Sequence, residues 1–381
     1  RGHDEPVVVD DVDDDLGGDD LAGGDVRGRL LREHEPLRAD DRRLVAASAA
    51  PGGALQAAAP TRIQLLLNTS YSGPVAFFLL AQQRGYIREA GLDLALSQGS
   101  GAAAIVPQVA PGGYHAGYGD MCSLIELIAS GKPDTGPVAI YTTFNVTPLT
   151  IAVDAAGPIR TPKDFEGGRI TGHAEDAALL MFDLLAAATG VDLSKVERAT
   201  SFSGLGGQVA DMLNRRSAQG VFGFVNTIIA SITPMGIDPA RLRFINFSDY
   251  VPDMYGNTLF VTRDVYRNRA AQLAKLVRAI NLGLADTVAS PDAAIDALVK
   301  ASPGADRAVN RTRLVGTLKS EMSHPEGARI GIGDMDDARL ARLIDRIVRV
   351  KKLPRTPRVD EVFDRSFLPP DAERIRTLAA R

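Results

Sequence analysis

The sequence contains no tryptophan and, among 381 residues, a single cysteine, Cys122. One thiol excludes an intrachain disulfide framework and any CxxC metal or redox pair. The five histidines, His3, His34, His115, His173 and His324, show no metal-ligand spacing, so neither a metal nor a cofactor is expected. No apolar run reaches the roughly 18 residues that a membrane-spanning helix needs. An excess of one charge is missing too. Forty-three Lys and Arg stand against 47 Asp and Glu, interspersed, for a net charge of -4. Without a basic field, nucleic acid is not an expected partner.

What is present begins with an acidic leader. Nine of the first twenty residues are Asp or Glu, and Asp, Gly, Arg, Leu and Ala dominate to about Asp41 without periodicity. Such composition cannot bury enough apolar surface to fold alone. The opening on Arg1 rather than Met fits upstream or out-of-frame translation, or equally a genuine disordered tail. Arg42 and Arg43 precede a short apolar stretch and the small residues around Leu55-Gln56-Ala57. That arrangement resembles the end of a secretory signal peptide cleaved near Ala57, and a flexible Ala-rich linker is the alternative. No cysteine lies near that point to carry a lipid anchor. Residues 1–60 are therefore expected to be a leader outside the folded protein.

From Thr61 onward the periodicities are clear. Ile63, Leu65 and Leu67 alternate like a strand, as do Leu92, Leu94 and Leu96. Turn-rich loops such as Asn68 to Pro74 and Gln98 to Gly101 separate them from apolar helical stretches. Strand and helix alternate to about Thr143, and the pattern restarts at Leu149 and runs to Phe247. Helical patterns follow near 265–289, 292–300, 308–322 and 336–350. Strands alternating with helices imply βαβ units and a largely parallel sheet. The expected division is a first α/β lobe from 61–150 plus 259–381 and a second from 151–258.

The stretch GPVAFFLLAQQRGYIREAGLDL at 73–94 resembles the opening of the NMT1/THI5-like and sulfonate/nitrate/taurine-type substrate-binding proteins. The resemblance continues, in order, through GSG at 99–101, YHAGYGD at 114–120 and IRTPKDFEGGRI at 159–170. It ends with SDYVPDMYGN at 248–257 and EVFDRSFLPP at 361–370. It implies a type II periplasmic-binding-protein fold: two α/β lobes joined by two crossovers, a ligand cleft between them and a helical C-terminal tail. It also implies a non-enzymatic, monomeric, periplasmic receptor that delivers a small molecule to an ABC permease and its ATPase.

In such sheets ligands sit beyond the carboxyl ends of the strands, where loops enter helix N-termini. The loops that would line the cleft point to Ser70, Tyr71, Gly99, Ser100, Gly101, Asp120 and Thr142 from the first lobe. His173, Glu175, Asn226, Tyr250, Tyr255 and Asn257 come from the second lobe and the return crossover. Across these loops there is no Lys or Arg, while Asp120, Glu175, Asp176, Asp249 and Asp253 are present. An uncompensated anion is costly to desolvate in such a setting. Tyr and Phe offer stacking faces, and Asn226, Asn257 and Glu175 offer directional hydrogen bonds. The expectation is a neutral, planar nitrogen heterocycle, a thiamine-precursor-like pyrimidine ahead of riboflavin, with sulfonate, taurine or nitrate as the alternative.

Two rival classes meet the same residues. A pyrimidine-precursor synthase of similar fold carries a cysteine-rich motif and a pyridoxal phosphate lysine, whereas this chain has Cys122 alone and no lysine in the cleft loops. An effector-sensing regulator needs an N-terminal helix-turn-helix, and residues 1–60 show no such pattern. Cys122 sits in the apolar run MCSLIELI and reads as a buried core thiol. Glu175 and Asp176 stand at a helix start, where carboxylates complement the helix dipole.

Overall fold

Ile63 and Leu65 alternate with Arg62 and Gln64, and this period of two becomes the first strand of a computed structural model that describes residues 59–215 and 217–378. The leader expected at 1–60 lies almost wholly outside the described residues. The strands in chain order are β1 (Thr61–Leu66), β2 (Leu92–Ser97), β3 (Ala116–Asp120), β4 (Val138–Thr142) and β5 (Leu149–Asp154). Then follow β6 (Arg169–Gly172), β7 (Glu197–Thr200), β8 (Gly220–Phe224), β9 (Leu242–Asn246) and β10 (Asn257–Val261).

These strands form two five-stranded sheets, ordered β2-β1-β3-β10-β4 and β7-β6-β8-β5-β9. Each sheet with its flanking helices is a lobe. Neither sheet is wholly parallel. β10 runs antiparallel to β3 and β4, and β5 runs antiparallel to β8 and β9. Both strands arrive directly from the other lobe, through residues 143–148 and 247–256, without an α-helix to carry the chain back. Parallel entry needs such a helix.

Two helices expected as continuous are broken. The helix that starts at Glu175 and Asp176 in the sequence gives Ala177–Leu180 and Phe182–Thr189, interrupted at Met181. The pattern at 265–289 gives Arg263–Asn268 and Ala270–Ala289, interrupted where Arg269 leaves helical geometry and its guanidinium reaches the Arg62 carbonyl at 3.2 Å. Leu273, Leu276, Val277, Ile280 and Leu284, spaced by three and four, bury the long helix. It packs on the apolar helix Ala76–Gln83 of the first lobe.

The C-terminal helices reach both lobes. Helix Asp337–Lys351 buries Leu340, Leu343, Ile344 and Ile347 against Met121–Ser130 of the first lobe and Phe182–Thr189 of the second. At its end, Lys351 Nζ lies 3.1 Å from Glu126 and 3.3 Å from Asp183, one carboxylate from each side. Helix Arg307–Ser320 packs on the turn Gly73–Val75 and on helix Val225–Ile232 of the second lobe. No described helix is long and apolar enough to cross a membrane.

Candidate ligand-binding cleft

The carboxyl ends of β1 and β2 face those of β6 and β8 across a cavity of about 530 Å³. Asn68, Thr69, Ser100, Gly101 and Ala102 line it from the first lobe. His173 to Ala177, Leu205, Gly223, Phe224 and Thr227 line it from the second, and Arg313 enters from helix Arg307–Ser320. The loop after β2 must pass close beneath β1. A Cβ at Gly99 would overlap the Leu67 carbonyl oxygen, so only glycine fits there. The rims of the cavity bring the lobes into contact. A Cβ at Gly101 would lie 3.5 Å from the Glu175 carbonyl, while Asn226 Nδ2 donates to Ser320 Oγ at 3.0 Å and Glu321 Oε1 at 2.9 Å.

The cavity carries more charge than its loops advertise. Arg313 Nη2 donates to Thr227 Oγ1 at 2.8 Å, and its buried Nε has no partner. Burial pushes the guanidinium below its ordinary value, and nearby Glu321 pulls it back up. Glu321 is itself raised by burial, opposed by the Asn226 hydrogen bond and by Arg313. Asp176 is spent as a helix cap. Its carboxylate accepts from Ala178 N at 2.8 Å and Leu179 N at 3.4 Å, and burial raises its pKa against those bonds. Glu175, one residue earlier, is exposed on the cavity wall.

Of the expected contact residues, Ser100, Gly101, His173 and Glu175 line the cavity; the others do not. Ser70 and Gly99 lie in the same loops but off its wall. Tyr71 is turned away, its hydroxyl donating to the Leu96 carbonyl at 3.3 Å and its N–H to Gln98 Oε1 at 3.1 Å. Asp120 is fully buried and caps helix Met121–Ser130 through Ser123 N at 2.7 Å. Thr142 is buried between strands, its hydroxyl 3.0 Å from that of Thr258. Asn226 is engaged at the rim. Tyr250 is half-buried against the core, and Tyr255 is buried with its hydroxyl donating to Glu326 Oε1 at 2.7 Å. Asn257 is buried at the start of β10, where its carbonyl accepts from Thr143 N and Phe144 N.

The expected absence of a cation from the cleft is corrected by Arg313. The loops contain none, but the tail supplies one from a helix about 140 residues beyond Glu175 in the chain. The stacking surface is corrected as well. Phe224 is the one aromatic on the cavity wall among the described residues, and the tyrosines are not part of it.

Residues 73–294 match the family described as NMT1/THI5 like. The chain belongs to that family. Solved structures agree on the fold of this NMT1/THI5-like protein. The alkanesulfonate-binding protein SsuA from Xanthomonas axonopodis pv. citri, bound to MOPS, superposes with a TM-score of 0.60 at 14% identity, covering 81% of this chain and 100% of that one. The periplasmic aliphatic sulphonate binding protein SsuA from Escherichia coli gives 0.60 at 11% identity, covering 79% and 97%. A mutant of DSZB, named as a desulfurization enzyme, in complex with biphenyl-2-sulfinic acid gives 0.55 at 14% identity, covering 80% and 97%. No curated protein matches the sequence. The fold is the periplasmic-binding-protein fold, two mixed α/β lobes with a helical C-terminal region.

Proposed function

We propose that this protein is the extracytoplasmic solute-binding receptor of an ABC importer, holding a small organic ligand between its lobes and presenting it to a membrane permease and its ATPase. The observation that carries this reading is the cavity itself. At about 530 Å³ it falls in the range of small-molecule sites, and its walls come from both lobes, so binding and closure are coupled. The SsuA neighbours, named as sulfonate-binding proteins, support the same class of task. Export to the periplasm and action as a monomer belong to this reading.

An enzyme is the second reading, because DSZB shares the fold. The residues favour the receptor. Cys122 does not line the cavity. It is buried, its Sγ faces the Tyr255 carbonyl at 4.0 Å, and burial drives its pKa well above the ordinary thiol value. Lysine is also missing from the cavity wall among the described residues, leaving no group for a pyridoxal phosphate Schiff base.

For the ligand, the neutral heterocycle rested on a cleft free of cations. Arg313, with an unpartnered Nε, favours the alternative, a ligand bearing an anionic group such as a sulfonate. Thermal-shift and scattering measurements on the purified protein test the receptor reading, with alkanesulfonates, nitrate, hydroxymethylpyrimidine and riboflavin as probes. A stabilising probe that also reduces the radius of gyration is expected. A probe that is chemically converted, or stabilisation without compaction by every binding probe, would count against it.

A further inference from the structure

Arg313 is the cation on the cavity wall, and the carboxylate that balances it stands behind the wall. Glu321, 4% exposed, closes the C-terminal end of the same helix. It attracts the Arg313 guanidinium but leaves the buried Nε without an acceptor. Its Oε1 accepts from Asn226 Nδ2 at 2.9 Å, and its main-chain carbonyl accepts from Val146 N at 2.9 Å. One buried carboxylate is thus held where the tail, the second lobe and the first crossover meet.

The elements packed around it supply few other charges. Turn Gly73–Val75 and helix Val225–Ile232 carry no ionisable side chain. Asp292 and Asp296 of helix Pro291–Ala301 pair with Arg311 and Arg307, and Lys319 is exposed. From the first sheet Tyr118 feels the Glu321 charge, its hydroxyl 2.6 Å from Thr143 Oγ1. His324 lies beyond, beside Arg339 and Glu326. A ligand anion on Arg313 upsets this balance. Two negative groups then share one guanidinium in a buried setting, and the added like charge disfavours ionised Glu321. Burial already raises its pKa, so it is the group readiest to gain a proton. Protonated Glu321 still offers a carbonyl oxygen to Asn226, so the rim contact survives.

Building on the receptor reading and its anionic ligand, we propose that Glu321 is the internal counter-ion of Arg313 and takes up a proton when the anion docks. One proton passes from solvent to the Glu321 carboxylate, and the guanidinium keeps its charge. Glu321 is a positioning residue, because it reaches the ligand only through Arg313. Affinity for an anion therefore strengthens as pH falls from neutral and levels off once Glu321 is protonated in the free protein. A neutral ligand draws no proton.

Calorimetry with propanesulfonate, which stays ionised throughout, tests this in imidazole and bis-tris, two amine buffers of different ionisation heat. Binding heats that differ between the buffers in the sense of proton uptake are expected. Affinity should be about fivefold or more stronger at pH 5.5 than at pH 8. Glu321→Gln retains an acceptor for Asn226 and cannot ionise. It should bind propanesulfonate at pH 8 as tightly as the native protein does at pH 5.5, with neither proton uptake nor pH dependence, whereas loss of a purely structural group would weaken binding at every pH. His173→Gln and Glu175→Gln, which change ionisable groups on the cavity wall, should leave the uptake in place whatever their effect on affinity. Circular dichroism checks the fold of each variant, and the two-buffer comparison on the native protein stands without them. Equal heats in both buffers with a pH-independent affinity overturn the proposal, as does uptake that persists in Glu321→Gln. Absence of propanesulfonate binding overturns it too, and riboflavin or hydroxymethylpyrimidine binding by the same protein then leaves the receptor reading standing. Failure of all three probes to bind overturns both.

Discussion

Arg339 lies with its guanidinium 3.9 Å from the centre of the Tyr255 ring, and from there it holds both crossovers. Its Nη2 donates to the Asn145 carbonyl at 2.7 Å in the first crossover and to the Met254 carbonyl at 3.0 Å in the second. Its Nη1 donates to Glu326 Oε2 at 3.0 Å, and Glu326 Oε1 also accepts from the Tyr255 hydroxyl. The pair is almost wholly buried, with side chains 7% and 5% exposed. The two segments that must bend for the lobes to move are thus pinned to one side chain.

Arg339→Met is expected to destabilise the protein by about 3–5 kcal/mol, because Glu326 is left in a buried site without its partner. Arg339→Met combined with Glu326→Gln should recover part of that loss. Urea denaturation of the three variants measures it. Equal destabilisation in the single and double variants would show that the lost crossover bonds, not the stranded carboxylate, dominate.

Asp120 makes the stability pH-dependent. Burial raises its pKa to about 6, and Glu126 adds to the shift, against hydrogen bonds from Ser123 and Cys122 that lower it. In the unfolded chain the same carboxyl titrates near 4. Below pH 4 it is protonated in both states and costs nothing. As pH rises from 4 to 6, unfolding releases its proton, so stability falls and then levels off. The cost at neutral pH is on the order of 2–3 kcal/mol. Asp120→Asn retains a side-chain oxygen for Ser123 and cannot ionise. Its stability relative to the native protein should therefore rise between pH 4 and pH 7, as read by thermal unfolding across that range.

Much of this fold is legible in the sequence, because strand alternation and glycine-punctuated loops are local signals. Leu92 and Leu94 mark β2 without reference to anything distant. The cavity positions Ser100, Gly101, His173 and Glu175 follow from one rule, that ligands gather where strands end and helices begin. The misplaced residues depend on partners far along the chain. Tyr255 is drawn into the core by Glu326, and Tyr71 is folded back onto Leu96. Asp120 and Asn257 face each other across β3 and β10, where side chains turn into the protein. Arg313 was invisible for the same reason. In sequence it is an ordinary charge on a tail helix, and only the docking of that helix on Val225–Ile232 carries it into the cleft.

The single thiol offers a direct measure of global opening. Cys122 is buried beneath Tyr255, and its pKa lies well above the ordinary value. Since the thiolate is the reactive species, an aromatic disulfide reagent should not modify the native protein over hours. Urea should bring on the reaction in parallel with loss of helical dichroism. Rapid labelling without denaturant would show that helix Met121–Ser130 opens locally.

The rim contact between the lobes should act as a latch, and Gly316 is where it can be broken without harming the fold. Asn226 from the second lobe lies on the tail helix at Gly316, where a Cβ would overlap its side-chain carbonyl oxygen. From that seat its amide donates to Ser320 and Glu321. Gly316→Ala removes the seat, while alanine stabilises a helix interior by about 1 kcal/mol over glycine. The tail helix is therefore retained and the inter-lobe bonds are lost. The closed population falls, and apparent affinity falls with it in proportion. The expected result is a larger ligand-free radius of gyration and a several-fold weaker affinity, expressed mainly as faster dissociation, with helical dichroism unchanged. Asn226→Ala should behave alike, and the double variant should add little, because both changes remove one contact. Gly316→Ala with native affinity and native dimensions would show that the rim bonds do not govern closure.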